Sequence, residues 1–298
     1  MTSNFFRAAR VLGSSPAFVQ GGGGNISEKR GSVMFVKASG IRLRDMVPGR
    51  GYAAVDYKPV AEYLFREARK PLRARSHPAE ARLNAVIDQA IIPAKSFGAP
   101  SMEAGMHAVL PSRYVFHTHS ALANVLGCMK GGARIVRELF GDRAALVPYV
   151  NPGRELGVSI ARLAAARRAT PILILANHGL LAHHDDLEKA LGLVRETEKK
   201  IADFLETKGA YEPFRVSSAS ADFSKHFIPD SAVYAKVDFT NLSPEKRMVI
   251  SEVGALAHYV SRAIRALGGE PRYVPHADAR FIVGMEKEKR RMEIAREA

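Results

Sequence analysis

The run Pro171-Ile172-Leu173-Ile174-Leu175-Ala176 constrains this chain more than any other six residues. It is uncharged, apolar throughout and of strand length. A strand with no polar alternation must be covered on both faces. Such a strand belongs to a sheet with helices above and below it. The rest of the pattern agrees. Helical periodicity marks Asn4–Leu12, Pro59–Arg69, Pro78–Ile91, Ser101–Leu110, Glu155–Arg168 and Leu187–Thr207, and proline stands near two of the starts. Val33–Lys37 and Tyr114–His119 have strand composition, Val147–Val150 reads as a short strand or turn, and Pro93–Pro100 reads as a loop. Strands alternating with helices predict an α/β fold, with strand order left open.

Length and composition set the bounds. The 298 residues, 47% hydrophobic and 25% charged, are enough for a folded chain with a substantial core. No apolar stretch approaches the roughly 20 residues that span a bilayer, so no membrane partner is expected. The segment MTSNFFRAARVLGSSP lacks the apolar core of a secretory signal. Cys128 is the single cysteine, which excludes an intrachain disulfide and a thiolate zinc cluster and predicts a cytoplasmic protein.

Lys and Arg number 44 against 30 Asp and Glu, a formal charge of +14. That balance suits nucleic acid, an anionic membrane surface or phosphorylated small molecules. The excess is unevenly spread. From Tyr211 onward the chain carries only +2, leaving +12 on the first 210 residues. The densest basic stretch is Arg66, Arg69, Lys70, Arg73, Arg75 and Arg82. No helix-turn-helix, zinc-finger or RNA-binding motif accompanies it, so it reads as a solvated helix face and no nucleic-acid partner is expected. Residues 211–223 are rich in Ser and Pro and read as a linker. The tail Glu286–Arg291 reads as a solvated, mixed-charge helix face.

The candidate chemistry lies in the basic part. In His117-Thr118-His119, residues i and i+2 of a strand point to one face, so two imidazoles converge from a rigid element, a pattern suited to Zn²⁺. The same spacing also serves two half-buried histidines satisfied by hydrogen bonds. A third ligand is available at Asn177-His178-Gly179, at the C-terminal end of the apolar strand, where α/β proteins place ligands. His183 and His184 compete for that role, but beside Asp185 and Asp186 they read as exposed turn and cap residues. Glu103 opens a short helix and can move a proton near a metal, or simply favour the helix dipole. The run Gly21–Gly24 is followed by neither Gly-Lys-Ser/Thr nor the Gly-x-Gly-x-x-Gly spacing. It reads as a flexible turn or an anion-binding nest, to which Ser39-Gly40 adds a hydroxyl and an amide.

In this order the pieces resemble the class II aldolase/adducin family. Gly24-Asn25-Ile26-Ser27 is similar to the family's Gly-Asn-x-Ser phosphate turn, and Lys37-Ala38-Ser39-Gly40 to its second phosphate element. Pro100-Ser101-Met102-Glu103 is similar to the Ser-x-Glu segment with the catalytic carboxylate. His117, His119 and His178 match its three metal ligands. The match runs from about residue 4 to 207. Gln20–Asn25, Phe35–Gly40 and Phe227-Ile228-Pro229-Asp230 resemble the stand-alone relatives of the aldolase half of bifunctional aldolase/dehydrogenases.

The resemblance implies a three-layer α/β/α domain over residues 1–210 with a central mixed, largely antiparallel sheet, and a smaller C-terminal extension over 211–298. It implies a metal-dependent lyase acting on a sugar phosphate or sugar acid through an enediolate. Zn²⁺, or Mn²⁺ or Co²⁺, would sit on His117, His119 and His178, with Glu103 catalytic. Gly24, Asn25, Ser27, Ser39, Gly40 and Ser101 would bind the anionic end of a small substrate, in a cytoplasmic homotetramer. Dehydratase, decarboxylase and epimerase activities, and a non-catalytic adducin-like interaction module, are the alternatives within the family. Three departures stand out. Met102 replaces a serine and Gly22 a threonine of the fuculose-phosphate aldolases, and Gly131–Val136 lacks their general-acid tyrosine. Tyr211 or Tyr234 then takes that part, or the reaction differs.

Overall fold

A computed structural model describes residues 1–71, 76–166, 170–216, 224–235 and 243–285, with only the backbone for Glu245 and Lys246. Arg73 and Arg75 of the basic stretch, residues 217–223 of the expected linker and the tail from Glu286 lie outside the described residues.

The apolar run forms β6 (Ile172–Leu175) inside a seven-stranded sheet. The other strands are β1 (Asn25–Arg30), β2 (Val33–Lys37), β3 (Tyr52–Asp56), β4 (Tyr114–Thr118), β5 (Ala144–Val147) and β7 (Gly179–His184). Their order is β3-β2-β1-β4-β7-β6-β5. Every neighbouring pair is antiparallel except β5 and β6. The sheet is thus mixed and largely antiparallel, as expected.

β6 shows why the sheet needs two helical layers. Ile172 and Ile174 enter one core and Leu173 and Leu175 the other. β4 divides in the same way, with Phe116 on the first side and Val115 on the second. The first core is closed by α1 (Ser3–Gly13), α5 (Ala121–Gly127), α6 (Gly132–Phe140), α8 (Leu187–Thr207) and α10 (Pro244–Ala266). The second is closed by α2 (Tyr57–Ala68), α3 (His77–Gln89), α4 (Ala104–Val109) and α7 (Arg154–Ala165). Each fully buried aliphatic side chain contributes about 1.5–3 kcal/mol. Leu256, Val260 and Ile264 of α10 share a core with Phe5 and Phe116, so residues past 210 are packed into the main body. Two short helices, α9 (Pro229–Tyr234) and α11 (His276–Val283), pack together beside Tyr149.

Residues 90–97 run along the outer edge of β3. Ala90 O accepts from Asp56 N at 2.8 Å, Ile92 N donates to Ala54 O at 2.8 Å, and Phe97 N donates to Tyr52 O at 2.7 Å. Among the described residues, no helix is long and apolar enough to cross a membrane.

Candidate metal centre

β4 lies between β1 and β7, so its end is held from both sides. His117 and His119 leave it on one face. His178 comes from the turn joining β6 to β7, where Asn177 has φ +53. Its side chain secures that conformation by donating to Phe227 O at 3.0 Å and Arg272 O at 2.8 Å. Gly179 follows because nothing larger fits: a Cβ there would lie 2.1 Å from Thr118 O. Glu103 is the residue before α4 and turns inward from it.

The four side chains meet. Ring centroids are 5.0 Å apart for His117 and His119, 4.9 Å for His117 and His178, and 5.2 Å for His119 and His178. Glu103 Oε1 lies 2.9 Å from His178 Nε2, and Oε2 lies 3.6 Å from His117 Nε2. One donor atom from each of the four falls within 4.8 Å of the rest, and all four residues are buried.

The donor set fits a divalent ion. Leu180 O lies 3.1 Å from His117 Nδ1 and can only accept, so Nδ1 carries the proton and Nε2 the lone pair. His117 Nε2 and His119 Nε2 are buried without a hydrogen-bond partner. Orphaned imidazole nitrogens aimed into one space are costly unless something binds them. Burial pushes the His117 pKa well below the usual imidazole range. Burial pushes the Glu103 carboxyl upward, but the surrounding His117, His178 and His119 outweigh it and hold it well below the carboxylate range. A neutral imidazole and an ionised carboxylate are the forms that bind a cation.

A cleft opens above this cluster. Gly24, Asn25, Ser39, Gly40 and Ser101 line it together with Glu103, His119 and His178. His117 lies beneath, fully buried. Asn25 Nδ2 donates to Glu103 Oε2 at 2.7 Å and holds the carboxylate in place. Lys37 also lines the cleft, and its ammonium donates to Gly22 O at 3.3 Å and Ala38 O at 3.2 Å.

Other expected positions fall elsewhere. Ser27 is fully buried and outside the cleft, with Oγ 2.8 Å from His107 Nδ1. Burial lowers the pKa of His107 to about 3, so that ring is a neutral core partner. Tyr211 and Tyr234 do not line the cleft. Tyr234 packs instead with Ile250 and Val253. His183 corrects the reading of an exposed turn. It is buried on β7, with Ser112 Oγ at 2.8 Å and Thr170 O at 3.1 Å, and burial lowers its pKa to about 4. His184 ends that strand and receives Asp186 N at 2.8 Å.

Besides Lys37 and Pro152, the cleft is lined by residues of the C-terminal part that sequence reasoning did not place at the site. Asp230 and Val233 of α9 line the cleft, and Asp230 Oδ2 lies 3.3 Å from His119 Nδ1. Glu252 of α10 accepts from Gly21 N at 2.6 Å and pins the glycine-rich turn. Pro229-Asp230 belongs to the segment that resembles the stand-alone relatives. Local sequence gave no sign that the carboxylate reaches the histidines.

A buried three-histidine, one-carboxylate cluster at the end of a central strand, under a polar cleft, gives this α/β protein a donor set that could hold a metal ion. The model of the Class II Aldolase and Adducin N-terminal domain matches residues 4–202, and the chain belongs to that family. It is 27% identical over 256 residues to the uncharacterized oxidoreductase YuxG of Bacillus subtilis, covering 82% of this chain but only 35% of that protein. Among solved structures it resembles the N-terminal class II aldolase domain of a conserved Thermoplasma acidophilum protein, with TM-score 0.56 and 21% identity. That match covers 67% of this chain and 91% of the other. YgbL from Escherichia coli gives TM-score 0.51 and 21% identity, over 71% and 90% of the two chains. At these identities the two structures speak to the fold.

Proposed function

We propose that the chain is a metal-dependent lyase that cleaves a carbon–carbon bond in a sugar phosphate or related sugar acid by way of an enediolate. The observation that carries this reading is the convergence of His117, His119, His178 and Glu103 beneath a polar cleft. Three imidazoles with a further position free are the donor set of catalytic zinc, and Mn²⁺ or Co²⁺ suits the same set. When bound, such an ion supplies Lewis acidity toward a substrate carbonyl and its neighbouring hydroxyl. Glu103, steadied by Asn25, takes a proton from the substrate and returns it on the other side of the reaction. Asn25, Ser39, Ser101 and the backbone at Gly24 and Gly40 receive the anionic end, with the charge of Lys37 at hand. The +12 on the first 210 residues favours the approach of such a substrate. Within this reading the enzyme works in the cytoplasm as a homotetramer, to be checked by localisation and by light scattering.

The test is a panel of phosphorylated ketoses and sugar acids, assayed with Zn²⁺, Mn²⁺ and Co²⁺ alongside elemental analysis. H117A and H178A should lose both metal and cleavage. E103Q should keep the metal and lose about 10²–10⁴-fold in turnover. Full activity in metal-stripped H178A overturns the reading. Product analysis separates lyase from dehydratase, decarboxylase and epimerase. An empty site after purification without chelator favours a non-catalytic module.

A further inference from the structure

The third histidine of the cluster to need explanation is His119. His117 is oriented by the backbone carbonyl of Leu180. His119 has a carboxylate facing its corresponding nitrogen, Asp230 Oδ2 at 3.3 Å from Nδ1. Both side chains are almost fully buried, at 4% and 5% exposure. The neighbouring backbone is shaped around the pair. A Cβ at Gly23 would stand 2.5 Å from His119 Nδ1 and 2.9 Å from Asp230 Oδ2, so a side chain there would wedge the two apart.

Asp230 is also held where it is. The segment before it is tied to the His178 turn, because Asn177 Nδ2 donates to Phe227 O. His226 O accepts from Val274 N at 2.7 Å, and Ser231 Oγ donates to Ile228 O at 2.6 Å. Ala232 and Val233 pack against Val274, Ala279 and Ile282. A carboxylate fixed this way at an imidazole nitrogen selects the tautomer protonated on that nitrogen. Neither ring nitrogen of His119 has another hydrogen-bond partner; with the Nδ1 proton turned to the carboxylate 3.3 Å away, the lone pair lies on Nε2.

We propose that Asp230 is a positioning residue of the metal centre: its carboxylate accepts the Nδ1 proton of His119 and turns Nε2 toward the ion. The C-terminal part of the chain thereby completes the centre within a single subunit. The inference rests on the metal-centre reading above and adds a residue that the three-histidine motif does not contain.

The experiment measures Co²⁺ binding to the full chain by competition with a chromophoric chelator, together with the visible Co²⁺ spectrum. Loss of an orienting partner typically costs about 10–100-fold in metal affinity. D230A is expected to fall in that range and to change the spectrum, with the far-UV circular dichroism and melting temperature of the metal-free protein kept. D230N retains an acceptor oxygen but not the charge, and should fall between D230A and wild type. D230A within threefold of wild type, with an unchanged spectrum, overturns the assignment. Should D230A fail to fold, D230N matching wild type in both readouts overturns it. Wild-type protein that takes up no Co²⁺ sinks the metal-centre reading and this inference with it. Tight wild-type binding with indifferent variants sinks this inference alone.

Discussion

Gly179→Ala adds one methyl group where β7 starts, between the His178 turn and the end of β4. The added carbon would lie 2.1 Å from Thr118 O and 3.0 Å from His119 Cα. Ordinary contact begins near 3.4 Å, so about 1.3 Å must be found. The obstructing atoms are backbone, and β4 is paired with both β1 and β7. No flexible side chain can swing aside. Overpacking of this kind costs about 1–3 kcal/mol, and the pinned backbone puts the expectation at the upper end. Displacing Thr118 and His119 also moves the His119 ring relative to those of His117 and His178, so Co²⁺ affinity should fall at least about 10-fold. The control is Gly192→Ala on α8, where a Cβ meets nothing within 4 Å. That change should stabilise by up to about 1 kcal/mol through helix propensity alone. The assay is denaturant unfolding of both variants, followed by Co²⁺ titration. If G179A matches wild type in stability and metal affinity, the close approach described here is not a constraint on the centre.

Two further outcomes concern Ser27, which is fully buried, and Glu198, which is partly buried. Ser27→Ala should cost about 1–2 kcal/mol by stranding His107 Nδ1, yet leave KM for an anionic substrate within about twofold. Ser39→Ala should do the reverse, and the opposite ordering would return Ser27 to the binding site. Glu198, which receives the Ser120 hydroxyl, has its pKa raised by burial from 4.5 to about 7. The native state therefore holds a proton that the unfolded chain releases, and stability falls as pH rises between those values. Glu198→Gln should remove that fall, worth up to about 3 kcal/mol. Parallel melting curves for wild type and E198Q from pH 5 to pH 8 would refute it.

What was legible in the sequence follows from where its signal is local. Ile172–Leu175 is apolar on every residue because both faces are covered, and that pattern is visible in six consecutive residues. The strand Asn25–Arg30 was hidden because its polar side chains have partners far along the chain. Asn25 reaches Glu103, Ser27 reaches His107, and Lys29 donates to Leu110 O. A buried strand made of such residues reads as a turn. The same holds for His183 on β7, whose partners Ser112 and Thr170 satisfy it in the interior. Tyr52–Asp56 carries two alanines and no alternation, and α5 and α6 are short, so neither period shows. For the site, one strand supplies two histidines at i and i+2, and that spacing is visible. Asp230 is brought to His119 only by the packing of α9 against α10 and α11, and no local pattern encodes it.

The segment 90–97 along β3 has a consequence for how copies of this chain meet. An open strand edge is a template on which a second molecule can extend the sheet. Here Tyr52 O, Ala54 N and O, and Asp56 N are already matched within the chain, Ala54 N by the hydroxyl of Ser96. A neighbour approaching this side finds much of the ladder already taken. Extension of the sheet from that edge is disfavoured, and contact between copies there falls more to side chains.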